Sequence, residues 1–142
     1  FSDISLAALD LSDEVLVLVA PELASVRSTA MALEVFDTLG YNKSGIRLIL
    51  NWIFERQGLP KSDIEAGLNR EIRLIIPHAS ESFVQAINFG TPPTLKDPES
   101  ALGAIFENMA YAVSQPEQKS QRPDDPTEAW KRLAKRMRKQ RR

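Results

Sequence analysis

The chain has no cysteine and a single histidine, His78. Without thiols there is no disulfide framework, no cysteine–zinc site and no thiol nucleophile. A lone imidazole does not make a metal centre. The absence of cysteine fits a reducing cytoplasm. No apolar run approaches the ~18 residues that a membrane span needs. The opening Phe1-Ser2-Asp3 lacks both the basic start and the long apolar stretch of a secretory leader. It also lacks an initiator Met, as expected of a processed or excised part of a longer chain. Glycine is sparse, at 6 residues. The one pair spaced like a phosphate-binding loop, Gly40 and Gly45, is followed by Ile46 rather than by Lys-Ser or Lys-Thr. It also follows a helical stretch and precedes a strand-like one, the reverse of what such a loop requires.

What is present suits one packed domain: 142 residues, 43% hydrophobic and 26% charged. The net charge of −1 hides a split. Residues 1–126 hold 10 basic and 18 acidic side chains, whereas residues 127–142 hold 8 basic and 1 acidic. An acidic body with a basic tail points to a tail that meets an anionic surface.

Three β-branched apolar runs, Glu14–Ala20, Ile46–Asn51 and Ile72–Pro77, read as buried parallel strands. The stretches between them have helical spacing. Ile4, Ala7, Ala8 and Leu11 predict a short first helix. Leu23, Val26, Ala30, Leu33 and Phe36 predict an amphipathic helix stopped by Gly40. Ser62-Asp63-Ile64-Glu65 has the form of a capping box opening a short helix to about Leu68. Residues 80–89 read as a helix with Val84 and Ile87 inward, stopped by Gly90. Pro92-Pro93 predicts an extended connection over Thr91–Leu95. Asp97-Pro98 looks like a cap with proline at the first helical position, opening a helix with a stripe of Leu102, Ile105, Phe106, Met109, Ala110 and Val113.

Residues 115–125 are polar and proline-containing, and read as a disordered linker between a body at 1–114 and a tail helix at 126–142. Asp125-Pro126-Thr127-Glu128 caps that tail helix. Trp130, Leu133 and Met137 lie on one side of it, and Lys131, Arg132, Lys135 and Arg136 cover much of the rest. Such a helix suits an anionic membrane surface, although its narrow apolar side counts against the membrane; the same charges could hold nucleic-acid phosphates, meet a protein partner or serve as a solubilising tail. Strands alternating with helices predict an α/β fold with a parallel sheet between helical layers. Ligands in such sheets bind beyond the carboxyl ends of the strands, here near Pro21, Asn51 and Pro77.

The ordered series Asp13-Glu14-Val-Leu-Val, Pro21-Glu22-x-x-Ser25-Val26-Arg27, a strand ending in Asn51, Ile76-Pro77 and Ala86-Ile87-Asn88-x-Gly90-x-Pro92 resembles the MinD/ParA group of P-loop ATPases. Within that group it is most similar to the CpaE/TadZ branch of pilus assembly and polar localisation. The resemblance covers about residues 1–114 and only the C-terminal half of the family's domain. It implies a three-layer P-loop ATPase fold whose phosphate loop and catalytic aspartates lie outside this chain, so that the chain alone should not hydrolyse ATP. It further implies that Asn51 contacts the adenine of ATP and that Pro77 and His78 wall the base pocket, with Mg held in the intact parent. Where the family often has Arg after this asparagine, Trp52 stands here. Glu22 and Arg27 fall where the family forms its nucleotide-dependent homodimer. The implied protein is cytoplasmic, with the tail placing it at the inner membrane face. Two other readings remain open at this point: a non-catalytic localisation scaffold of the same fold, and an unrelated Rossmann-like binding domain that holds a ligand by itself.

Overall fold

The computed structural model describes residues 2–41, 45–114, 119 and 123–140. Most of the expected linker, residues 115–118 and 120–122, lies outside the described residues. The chain forms two compact units, Phe1–His78 and Ala79–Arg142.

The first unit runs α1 (Asp3–Asp10), β1 (Val15–Val19), α2 (Leu23–Thr38), β2 (Ile46–Asn51), α3 (Lys61–Leu68) and β3 (Ile72–Ile76). The strands form a parallel sheet in the order β1-β2-β3, with β2 in the centre. Val15 pairs with Ile46 and Val19 with Leu50. Between β2 and β3 the register slips once: Leu48 pairs with Ile72 but Ile49 with Leu74, so Arg73 is an extra residue in β3.

The main core cluster lies on one face of this sheet, while Ile49 of β2 is buried on the other. Val19, Ile46, Leu48, Leu50 and Ile72 pack with Val26, Leu33 and Phe36 of α2 and with Ile64 and Leu68 of α3. Ten apolar side chains removed from water in one cluster are the main term holding the unit together. On β1, Leu16 and Leu18 alternate away from this core and stay exposed, at 41% and 55%. Parallel sheets are ordinarily covered on both faces. α1 adds little: Ile4 and Leu11 are exposed, and only Leu9 packs against the core cluster. Leu23, expected in the buried stripe of α2, is also exposed. It sits one residue past the N-cap, Glu22, before the helix turns its inner side to the sheet.

Glu65 does not close a capping box. Helix α3 begins two residues earlier than that motif implies, with Pro60 at its N-cap, and Ser62 Oγ donates to Asp63 Oδ1 instead. Glu65 points the other way and accepts the Ile72 N–H at 2.7 Å, satisfying the first donor of β3. That bond is the main cause holding its carboxyl below the ordinary value, assisted by Lys61 and opposed by desolvation. Gly40 and Gly90, with φ of 77° and 64°, stop α2 and α4 in the left-handed conformation that favours glycine.

The second unit comprises α4 (Ser80–Phe89), α5 (Pro93–Lys96), α6 (Ala101–Val113) and α7 (Glu128–Gln140). Three expectations are corrected here. Val84 and Ile87 are exposed, at 54% and 80%, and Phe83 and Ala86 face inward instead. The Phe83 ring meets Phe106 of α6 edge-on with centroids 6.2 Å apart, and this aromatic contact sets the rotation of α4. The double proline does not keep residues 91–95 extended: Pro92 is an N-cap and Pro93 opens α5, a position where a missing N–H costs nothing. α6 is capped by Ser100, whose Oγ accepts the Gly103 N–H at 3.1 Å, rather than by Asp97. In the α6 stripe only Ala110 is exposed.

Candidate functional site

The parallel arrangement of β2 and β3 brings their carboxyl ends to one rim. Asn51 is the register partner of Ile76, and the Trp52 N–H donates to the Ile76 carbonyl at 2.9 Å. Pro77 and His78 therefore leave β3 beside Asn51. Asn51 and Pro77 are half-buried and His78 is exposed. The Asn51 amide has no hydrogen-bond partner among the described residues, which leaves a donor and an acceptor at the rim. Trp52 packs against the core cluster.

The end of β1 completes the rim. The Ala20 N–H donates to Ser25 Oγ at 2.9 Å, and the Leu59 N–H donates to the Pro21 carbonyl at 2.8 Å. These bonds tie the start of α2 and the loop after β2 to the same edge of the sheet.

Glu22 and Arg27 stand at the start of α2, both exposed, and among the described residues neither makes an ion pair. Arg27 belongs to a ridge at four-residue spacing, Leu23, Arg27, Met31 and Val35, which runs opposite the buried stripe Val26, Thr29, Leu33 and Phe36. Met31 is 67% exposed. The sequence signal for this ridge was its second apolar period on α2, which the stronger core period masked.

The basic tail helix α7 is not free. Thr127 caps it, accepting the Trp130 N–H at 3.3 Å. Leu133 is buried, and Trp130 and Met137 are half-buried. Arg132 donates from Nε and Nη2 to Glu107 Oε1 at 3.0 and 2.5 Å, and Arg136 donates from Nη2 to Glu107 Oε2 at 2.7 Å. Arg136 Nε also donates to Asn108 Oδ1 at 3.3 Å. Glu107 is 8% exposed. Lys131, paired with Glu128, and Lys135, Arg138 and Lys139 remain exposed. Sequence reasoning missed Glu107, although a single carboxylate inside the apolar α6 stripe, answered by arginines one turn apart, was a usable signal.

Burial pushes the Glu107 carboxyl up, but the hydrogen bonds and charges of Arg132 and Arg136 outweigh it and hold the group below its ordinary 4.5. A lowered folded value means that the clamp stabilises the fold above the ordinary value and loses this as pH falls through the lower one. A carboxyl NMR titration should therefore place Glu107 below 4.5. In the Arg132→Gln/Arg136→Gln variant the two lowering partners are gone, and the midpoint should rise.

No family model matches the sequence, and no curated protein matches it. Solved structures do match. A ParA-family ATPase from Chlorobium tepidum superposes with a TM-score of 0.70 at 21% identity, over 80% of this chain and 46% of its own. The fold is that of the MinD/ParA ATPases. A chain of the MinC:MinD cell division protein complex of Aquifex aeolicus matches at 0.64 and 22% identity, over 89% of this chain and 51% of its own. The MinD cell division protein of Aquifex aeolicus matches at 0.64 and 24%, over 78% and 49%. This chain thus spans about half the length of the ParA-family and MinD structures it matches. Among its described residues no three acidic or histidine side chains gather as metal ligands. No described helix is long and apolar enough to cross a membrane.

Proposed function

We propose that the chain is the C-terminal half of a MinD/ParA-like ATPase that works as a nucleotide-dependent dimerising switch in spatial positioning or pilus assembly. The observation that carries this reading is the unpartnered Asn51 amide at the shared carboxyl rim of parallel β2 and β3, next to Pro77 and His78. An amide there can donate to and accept from the edge of adenine, while the loop at residues 77–78 supplies a wall. ATP chemistry would need phosphate- and Mg-binding groups from the other half of the domain, since this chain has no glycine-rich phosphate loop.

Two features support a half-domain. Leu16 and Leu18 expose the second face of β1, as a parallel sheet awaiting further cover would. The chain also covers only about half of the matched structures. The exposed ridge around Arg27, with Glu22 beside it, supports a homodimer or partner surface. The cationic face of α7 supports contact with an anionic membrane surface, which would place the protein peripherally on a membrane.

Titrating the full-length protein with a fluorescent ATP analogue tests the reading. Asn51→Ala should weaken binding about five- to tenfold, the equivalent of one lost hydrogen-bonded contact, with the fold intact by circular dichroism. Equal affinity in the variant would remove Asn51 from the site. Light scattering should show an ATP-dependent dimer that Arg27→Glu weakens.

A further inference from the structure

We propose that Glu107 latches the basic helix α7 onto α6 and thereby withholds the helix's apolar side from an anionic lipid surface. This rests on the reading of α7 as a surface-binding helix and adds the device that controls it.

α7 carries two sets of cations with different employment. Arg132 and Arg136, one turn apart, both face α6 and occupy both oxygens of the nearly buried Glu107. Lys131, Lys135, Arg138 and Lys139 are exposed. Leu133 lies between the two arginines in sequence and is buried, while Trp130 and Met137 are half-buried. The apolar side is therefore already used within the unit.

A helix that lies in a bilayer interface needs that same side turned into the acyl boundary. The docked helix offers a membrane only its charges, which suffice for attraction but not for insertion. To insert, α7 must leave α6. Lipid phosphates can then take the place of Glu107, because guanidinium groups bind phosphate and carboxylate in the same forked geometry. The remaining cost is the loss of both guanidinium partners by Glu107. That cost sets a threshold: a sparse anionic surface leaves the latch closed, and a dense one opens it.

Nucleic acid does not need this release. The exposed cations could hold phosphates while α7 stays docked, and Trp130, Leu133 and Met137 would have no part in it. A latch on the apolar side has consequences only for a partner with an apolar interior, which favours lipid.

The test compares the full-length protein with its Glu107→Gln variant by hydrogen exchange without lipid and by sedimentation with phosphatidylglycerol-containing vesicles. Glu107→Gln should speed exchange at residues 128–139 while α6 stays protected, and should lower the half-saturating lipid concentration by about tenfold. Arg132→Gln/Arg136→Gln should free the helix equally but bind vesicles no better than wild type, having lost two cations. If Glu107→Gln loses protection throughout residues 79–113, exchange in the arginine variant decides. Unchanged exchange over α7 would overturn the latch. Faster exchange without tighter vesicle binding, or with tighter binding to duplex DNA alone, would overturn the lipid assignment. If wild type and a chain ending at Gln121 sediment equally with vesicles, the surface reading of the tail fails, and exchange still reports on the latch.

Discussion

Leu50→Ala is expected to cost about 4 kcal/mol, near the upper part of the range for buried leucines. Leu50 is fully buried in the central strand, between its register partners Val19 and Ile75. Strands on both sides fix the backbone, so the cavity cannot collapse. Against a typical stability of about 5–15 kcal/mol this is a large fraction. Urea denaturation should show a lower midpoint with an unchanged slope. Leu18 offers the informative contrast. It is 55% exposed on the face opposite the core cluster, so Leu18→Ala in this chain should cost less than about 1 kcal/mol. In the full-length protein, where the account has that face covered, the same substitution should cost about 2 kcal/mol or more. Equal small effects in both would leave the face without cover.

Gly103→Ala is the second large effect. A Cβ at this position would stand 2.6 Å from the Asp97 carbonyl oxygen and 2.8 Å from that of Pro98. Both are backbone atoms of the turn joining α5 to α6, so the turn itself must move. The expected loss is about 2–3 kcal/mol, confined to the second unit. Gly67→Ala is the control. Its Cβ would meet only Val26 Cγ1 at 3.7 Å, an ordinary contact, on an exposed position of α3. There alanine should stabilise by up to about 1 kcal/mol through helix propensity. Differential scanning of the two variants separates close approach from propensity.

The sheet was legible because period and composition agreed: Val15–Val19, Ile46–Asn51 and Ile72–Ile76 are β-branched runs broken by proline or polar residues. Parallel pairing followed from the intervening helices, and with it the neighbourhood of Asn51 and Pro77. Local cap chemistry was less legible. Ser62 to Glu65 has the spacing of a capping box, yet Glu65 is drawn to the Ile72 N–H by a tertiary need that no local motif encodes. The rotation of α4 was misread because Val84 and Ile87 match Phe83 and Ala86 in periodicity, and only the contact with Phe106 decides between them. The tail showed its amphipathic character in sequence, but its docking depends on Glu107, 25 residues before Arg132.

The central claim is that the rim at Asn51 and Pro77 receives the base of a nucleotide. A photoreactive azido-adenine analogue of ATP, crosslinked to the full-length protein and mapped by mass spectrometry, tests it most directly. Label is expected on peptides containing Asn51–Ile53 and Pro77–Ala79, displaced by excess ATP. Saturable label that maps only to other segments, or no displaceable label, would contradict it.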